Sequence, residues 1–235
     1  MKLLVINADD LGYDPEIDRG ILEAHARGLV TSTTAMVQTA FARAALGAAP
    51  ATLGVGLHAV LAPTLSCADA EAALRVQLAR FEDLRGAAPT HLDSHKHAHA
   101  APAILDAFAA VAVERGLPVR AIDPAMRAVL RARGVVTADR LLGDAARRPA
   151  WTEEELLAAL TRLEDGATEI MAHPGYAPSH ARTSFGRERE VELAALCSAR
   201  TRAAADASGA VRCDYAVLAA RARAGGVPGA PIVDP

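Results

Sequence analysis

Short apolar or β-branched runs alternate with segments of helical length along most of this chain, and several of the runs end in a carboxylate or an imidazole. Residues 3–8 form an apolar run of strand length, as expected of a strand buried on both faces. Asp14-Pro15-Glu16 then supplies an N-cap, a proline at the first helical position and an early acid, which predicts a helix to about Arg27 with Gly28 ending it. Residues 30–37, rich in Val and Thr, read as a second strand. A helix around 41–48 leads to a third strand over 53–58, ending in His58. A helix over 68–85 precedes a fourth strand over 91–95. Further helices are expected at 102–115, 152–163 and 187–206, with strands at 118–122 and 169–173.

Such alternation argues for a parallel sheet covered by helices, either a barrel or a doubly wound sheet. Asp9, Asp10, His58, His95 and His173 all fall at the C-terminal ends of predicted strands, which surround one mouth in a (β/α) barrel. The glycine-rich fingerprint of a dinucleotide-binding sheet is absent after the first strand. A single-domain α/β barrel over 1–235 is therefore the expectation, with a loose tail from about 222, where residues 225–229 read Gly-Gly-Val-Pro-Gly.

The densest polar signal is His91-Leu92-Asp93-Ser94-His95-Lys96-His97-Ala98-His99, which holds four of the chain's eight histidines. On a strand, alternate side chains share a face, so His91, Asp93, His95, His97 and His99 would converge as a divalent metal requires. Asp9-Asp10 reads either as a strand-to-helix turn or as a metal ligand beside a general base, since a cation offsets the repulsion of adjacent acids. His58 follows Gly54-Val55-Gly56-Leu57, whose glycines imply close backbone approach; it is either a structural histidine or a ligand. His173 carries the same two readings, and the Pro174-Gly175 turn would hold its ring at a strand end. Arg120, a single charge in an apolar strand, should pair with a buried carboxylate or face substrate. Trp151, before a helix capped by Thr152 with Glu155 three residues on, reads as a hydrophobic staple or a sugar-stacking platform.

No Gly-x-Ser-x-Gly elbow, phosphate loop, His-Glu-x-x-His pair or Cys-x-x-Cys competes with these groups. A net charge of −3 without charge runs suggests neither a nucleic-acid groove nor a polybasic membrane patch. No stretch approaches the roughly 20 apolar residues that span a bilayer. The three scattered cysteines read as thiols of a reducing compartment, so a cytoplasmic protein is expected. A homodimer is compatible with an exposed-loop barrel, although no residue argues for it.

Taken together, Asn7-Ala8-Asp9-Asp10-Leu11-Gly12, Gly28-Leu29-Val30-Thr31-Ser32-Thr33-Thr34, Gly56-Leu57-His58, Asp93-Ser94-His95-Lys96-His97 and His173-Pro174-Gly175-Tyr176 resemble the YdjC/ChbG-like carbohydrate deacetylases, in that family's order. The resemblance implies a divergent (β/α) barrel related to the NodB-type polysaccharide deacetylases. It implies Asp10, His58 and His95 as ligands of a divalent ion, zinc or magnesium, with Asp9 as base and His173 as the group that protonates the leaving amine. It also implies an N-acetylated amino sugar or short oligosaccharide as substrate. Asp93 then becomes a neighbour that orients the ligands, and His97 a neighbour of that kind, a substrate-facing group or an alternative ligand, with His91 deeper in the strand and His99 beyond its end. A phosphoesterase or amidohydrolase on a similar barrel and a non-catalytic sugar-binding protein are the competing readings. Three departures stand out: Asp18 where the family commonly has Asn, Ala59-Val60-Leu61-Ala62-Pro63 where it continues with a polar residue, and few aromatics for stacking sugars.

Overall fold

The computed structural model describes residues 1–143 and 149–224. Seven strands, β1 (Lys2–Leu11), β2 (Ser32–Ala35), β3 (Gly54–Ala59), β4 (Leu92–Ser94), β5 (Arg140–Leu142), β6 (Gly166–Ala172) and β7 (Val211–Arg212), form one parallel sheet in the order β4-β3-β2-β1-β6-β5, with β7 on β1. Nine helices accompany them among the described residues: α1 (Pro15–Arg27), α2 (Ala42–Ala48), α3 (Cys67–Arg85), α4 (Pro102–Arg115), α5 (Pro124–Ala132), α6 (Glu153–Thr161), α7 (Glu188–Cys197), α8 (Ala199–Ala207) and α9 (Tyr215–Arg223). None is long and apolar enough to cross a membrane.

The sheet curls as a barrel that regular strands only half close. Beyond β4 the chain at 118–120 takes over: Leu92 N–H donates to Pro118 O, Arg120 N–H to Leu92 O, and Val119 N–H to Val136 O. Asp139 N–H then reaches Ala167 O at the start of β6. The expected strand over 118–122 is thus reduced to a single bridge at Val119. β1 is central because it is flanked along its whole length. β6 pairs with Lys2 to Ala8, β2 with the later residues from Asn7, and β7 with Leu3 and Leu4, where β2 has not yet begun.

Local signals account for most element ends. The Asp14 side chain accepts Glu16 N–H and Pro15 opens α1; Thr152 and Glu155 form a reciprocal capping box on α6. The helix expected over 187–206 is two, because Ser198 takes an extended conformation and caps α8. α5, α9, β5 and β7 are additional to the sequence expectation, although Asp123 and Asp214 cap the two helices as Asp14 caps α1. α9 continues through the start of the expected tail, and 225–229 lie outside the described residues. Trp151 is buried, and its indole N–H donates to Met171 O at 2.8 Å. It packs in the core and is not a stacking platform.

Candidate metal centre

Consecutive residues on a strand point to opposite faces, yet Asp9 and Asp10 line the same small cavity at the C-terminal end of β1. The cause is local. Asp10 has φ +77°, and the β1–β2 register shifts between Ala8 and Leu11. A left-handed residue there breaks the alternation, and Asp tolerates that region better than most residues. The cavity, of about 110 Å³, is completed by His58, His95, His97 and His173 and, from the far side, by residues 183–185 and Arg189.

Three side chains from three strand ends meet there. Asp10 Oδ1 lies 3.4 Å from His58 Nε2 and 3.4 Å from His95 Nδ1. Two donors each about 2.1 Å from a tetrahedral ion sit about 3.4 Å apart, so these edges fit a divalent metal of the zinc type. The opposite nitrogen of His58, Nδ1, is 2.7 Å from Asp93 Oδ1, and Thr34 Oγ1 donates to Asp93 Oδ2 at 3.0 Å. That carboxylate fixes the ring so that Nε2 faces the would-be ion, as metal-binding histidines require. Burial works against a charged His58, but Asp93, Asp9 and Asp10 outweigh it and push the imidazole up to about 9. A cation held by Nε2 would have to displace a proton from this ring.

Asp9, His58 and Asp93 form a second group of potential donors. It fits an ion less well, because the carboxylates are already engaged. Arg120 donates through Nη1 and Nη2 to Asp9 Oδ2 and Oδ1, both at 2.7 Å, and lies 2.7 Å from Asp93 Oδ2. Its Nε donates to Glu169 Oε1 at 2.8 Å, and Tyr215 O–H donates to the other oxygen of Glu169. Arg120 is fully buried. Of its two sequence readings, pairing with buried carboxylates is the one the structure shows. Burial opposes ionisation of Asp9, yet Arg120 holds its carboxyl below the usual range. Asp10 is held well below that range by Arg189 and His95, again against burial.

The histidine-rich stretch divides. Strand geometry ends at Ser94, and Lys96 and His97 take left-handed φ of 54° and 52° in a 3₁₀ turn over His95–Ala100. His95 enters the site. His97 lines it with Nδ1 buried and unpartnered, and burial and Arg120 push its imidazole down to about 4. His99 turns away to stack on Phe108 and meets Ser94 Oγ and Arg120 O. His91 stacks on Tyr215, in space that exists because residue 56 is glycine: a Cβ there would lie 2.5 Å from the ring.

His173 Nε2 sits 3.9 Å from Asp9 Oδ2 across the mouth, with Nδ1 buried and unpartnered. Its backbone N–H donates to Glu192 Oε2 at 2.7 Å, and Glu192 Oε1 accepts from Ala150. Arg189 donates to Asp10 Oδ2 at 2.6 Å. Sequence reading missed Arg189, Glu192, Glu169 and Tyr215. For the first two a signal exists: residues 189, 192, 193 and 196 share the buried stripe of α7 while Val191 is exposed, so charges face inward on an otherwise ordinary helix.

Comparison with known proteins places the chain in a family. The family model described as "YdjC-like protein" matches residues 3–70 and 62–207. A carbohydrate deacetylase of Geobacillus stearothermophilus is 33% identical over 225 residues, covering 83% of this chain and 89% of that protein. A chitooligosaccharide deacetylase of Salmonella paratyphi C (strain RKS4594) is 32% identical over 245 residues, covering 86% and 94%. A crystal structure from Enterococcus faecalis V583, named as a cellobiose-phosphate cleavage protein, superposes with a TM-score of 0.83 at 26% identity, covering 92% and 98%. With the family model matching nearly the whole described chain and both deacetylases aligning across most of their length, this chain belongs to the YdjC-like family.

Proposed function

We propose that this protein is a divalent-metal-dependent hydrolase that removes the acetyl group from an N-acetylated amino sugar or short oligosaccharide and releases acetate. The observation that carries the reading is the Asp10–His58–His95 donor set beside Asp9 and His173, which face each other across one mouth. Asp10, His58 and His95 would hold the ion, and two nitrogens with one oxygen favour zinc over magnesium. When bound there, a divalent cation supplies Lewis acidity toward the acetyl carbonyl and the attacking water.

The chain's own residues supply the proton transfers. Asp9, gripped at both oxygens by Arg120, is fixed in direction and stays ionised to low pH, at the cost of some basicity. It takes the proton of the attacking water at Oδ2, the oxygen nearest His173. His173 Nε2 donates to the departing amine nitrogen, its position held by Glu192 on its backbone N–H. His97, His173 and Phe185 line the mouth around these groups. A second cavity of about 390 Å³, lined by Val60, Leu61, Pro63 and the 95–101 turn, shares His95, Lys96 and His97 with the first. The apolar departure after His58 thus forms one wall of the space where the rest of a sugar substrate would lie. The free thiols Cys67, Cys197 and Cys213 are consistent with a cytoplasmic location.

The test is acetate release from N-acetylglucosamine and its short β-linked oligomers by chelator-stripped protein, before and after zinc or magnesium is restored. Metal-dependent acetate from the wild type and none from Asp10→Asn is expected. Phosphate release from a phosphoester panel without acetate would instead make it a phosphoesterase. Tight sugar binding without turnover would make it a binding protein.

A further inference from the structure

The two oxygens of Asp10 have different partners. Oδ1 faces His58 and His95, while Oδ2 accepts a 2.6 Å hydrogen bond from Arg189 Nη2. Arg189 is 1% exposed, and its Nε donates to Phe185 O at 3.0 Å, which fixes the guanidinium from a second direction. Its path is built into the backbone: the stem crosses Gly175, where a Cβ would lie 3.2 Å from Arg189 Cδ, and Gly175 N–H donates to Arg189 O. The third nitrogen, Nη1, is buried without a partner.

A carboxylate free at both oxygens can clasp a cation with both, filling a coordination position and adding its full charge. A catalytic ion needs that position open for water and carbonyl. We propose that Arg189 is a positioning residue that confines Asp10 to one-oxygen coordination, keeping the ion open, electron-poor and less tightly held. The inference rests on the metal site proposed above and goes beyond it by assigning a job to a residue outside the donor set. Arg189 acts through Asp10, not on substrate, and its positive charge opposes the ion's across a single carboxylate.

The sign of the effect separates this role from a structural one. A side chain that merely propped up the site would weaken metal binding when removed. Arg189→Gln keeps the stem and removes the charge. It should bind zinc about tenfold more tightly than wild type at pH 8.5, by competition with a chromophoric chelator, while kcat for acetate release falls at least as much and KM moves little. Arg189→Lys, which keeps the charge, should retain near-wild-type zinc affinity. In cobalt-loaded protein, Arg189→Gln should show weaker visible absorption than wild type, the signature of a raised coordination number.

Circular dichroism melts of both apo variants establish that each is folded. Weaker zinc binding by a folded Arg189→Gln, or unchanged affinity with unchanged cobalt absorption, overturns the proposal. If Arg189→Gln does not fold, Arg189→Lys carries the test. Wild-type zinc affinity and cobalt absorption there support a role for charge, and loss of either overturns it. Failure of wild type to release acetate would sink the deacetylase reading alone, since the affinity and cobalt measurements need only the metal.

Discussion

Strand β1 starts beside one cavity and ends beside another. At its N-terminal end a void of about 730 Å³ is lined by Leu3, Val135, Val136, Ala167 and Leu218, with Arg131 and Arg221 among its few polar groups. At its C-terminal end Asp9 and Asp10 border a void of about 110 Å³ crowded with histidines and Arg189. The two differ in lining as well as in size. The larger void is walled mainly by apolar side chains, with Thr137 Oγ1 its one buried orphan among the described residues, and Arg131 is paired with Asp139. The smaller one gathers a left-handed aspartate, buried ion pairs and the orphaned nitrogens of His97, His173 and Arg189. Such features lower stability, and their concentration at one end of the strands marks where chemistry has been favoured over packing.

If the two ends divide the work in this way, substitutions should separate activity from stability. The largest effect should come from Asp9→Asn, with acetate release per folded molecule down by about 10²–10⁴-fold and metal content near wild type, while some stability is lost as Arg120 gives up one of its three carboxylates. Full activity in the metal-loaded variant would remove Asp9 as base. Arg120→Met should damage both properties, because it leaves Asp9, Asp93 and Glu169 buried without their shared cation. A loss of about 3–5 kcal/mol in denaturant titration is expected, with activity falling as Asp9 loses its anchor. At the other end, Leu218→Ala should cost about 2–4 kcal/mol and leave kcat per folded molecule unchanged. A changed kcat there would break the division.

The smallest effect concerns Asp18, which sits on α1 and accepts Gly12 N–H at 2.5 Å just past the metal-site strand end. Burial, partly offset by that hydrogen bond, pushes its carboxyl up to about 7. A folded-state value above the unfolded one means its stabilisation is fully present below about pH 4 and is lost as pH rises to 7. Asp18→Asn keeps the acceptor and removes the charge. It should flatten stability between pH 4 and 7 and add about 2 kcal/mol at pH 8, read from denaturant midpoints. A pH profile identical to wild type would show that Asp18 is not the titrating group.

Much of the molecule was legible because its signals are local. The runs ending in Asp10, His58 and His173 read as strand ends because a polar residue interrupts a buried stretch, and Asp14-Pro15 announces α1 unaided. Asp123-Pro124 carries the same message for α5 but directly follows the apolar run over 118–122, which reads as a full strand and pairs only at Val119. β5 and β7 are two or three residues long and contain arginine, too short for any periodicity to show. In the site, alternation held only to Ser94. Nothing in the spacing foretells the left-handed Lys96 and His97, after which His99 turns away from the site. Arg189 and Glu192 escaped notice because a charge on a helix is ordinarily read as solvated. Only exposed Val191 between them betrays the inverted face.

Everything proposed for the site depends on a divalent ion binding between Asp10, His58 and His95 and not in the neighbouring carboxylate pair. Anomalous diffraction from zinc-soaked crystals, collected on both sides of the zinc edge, tests it directly. One strong peak is expected within bonding distance of Asp10 Oδ1, His58 Nε2 and His95 Nδ1, with Asp10 Oδ2 still on Arg189. A peak bound instead by Asp9 and Asp93, with Arg120 displaced, would contradict it.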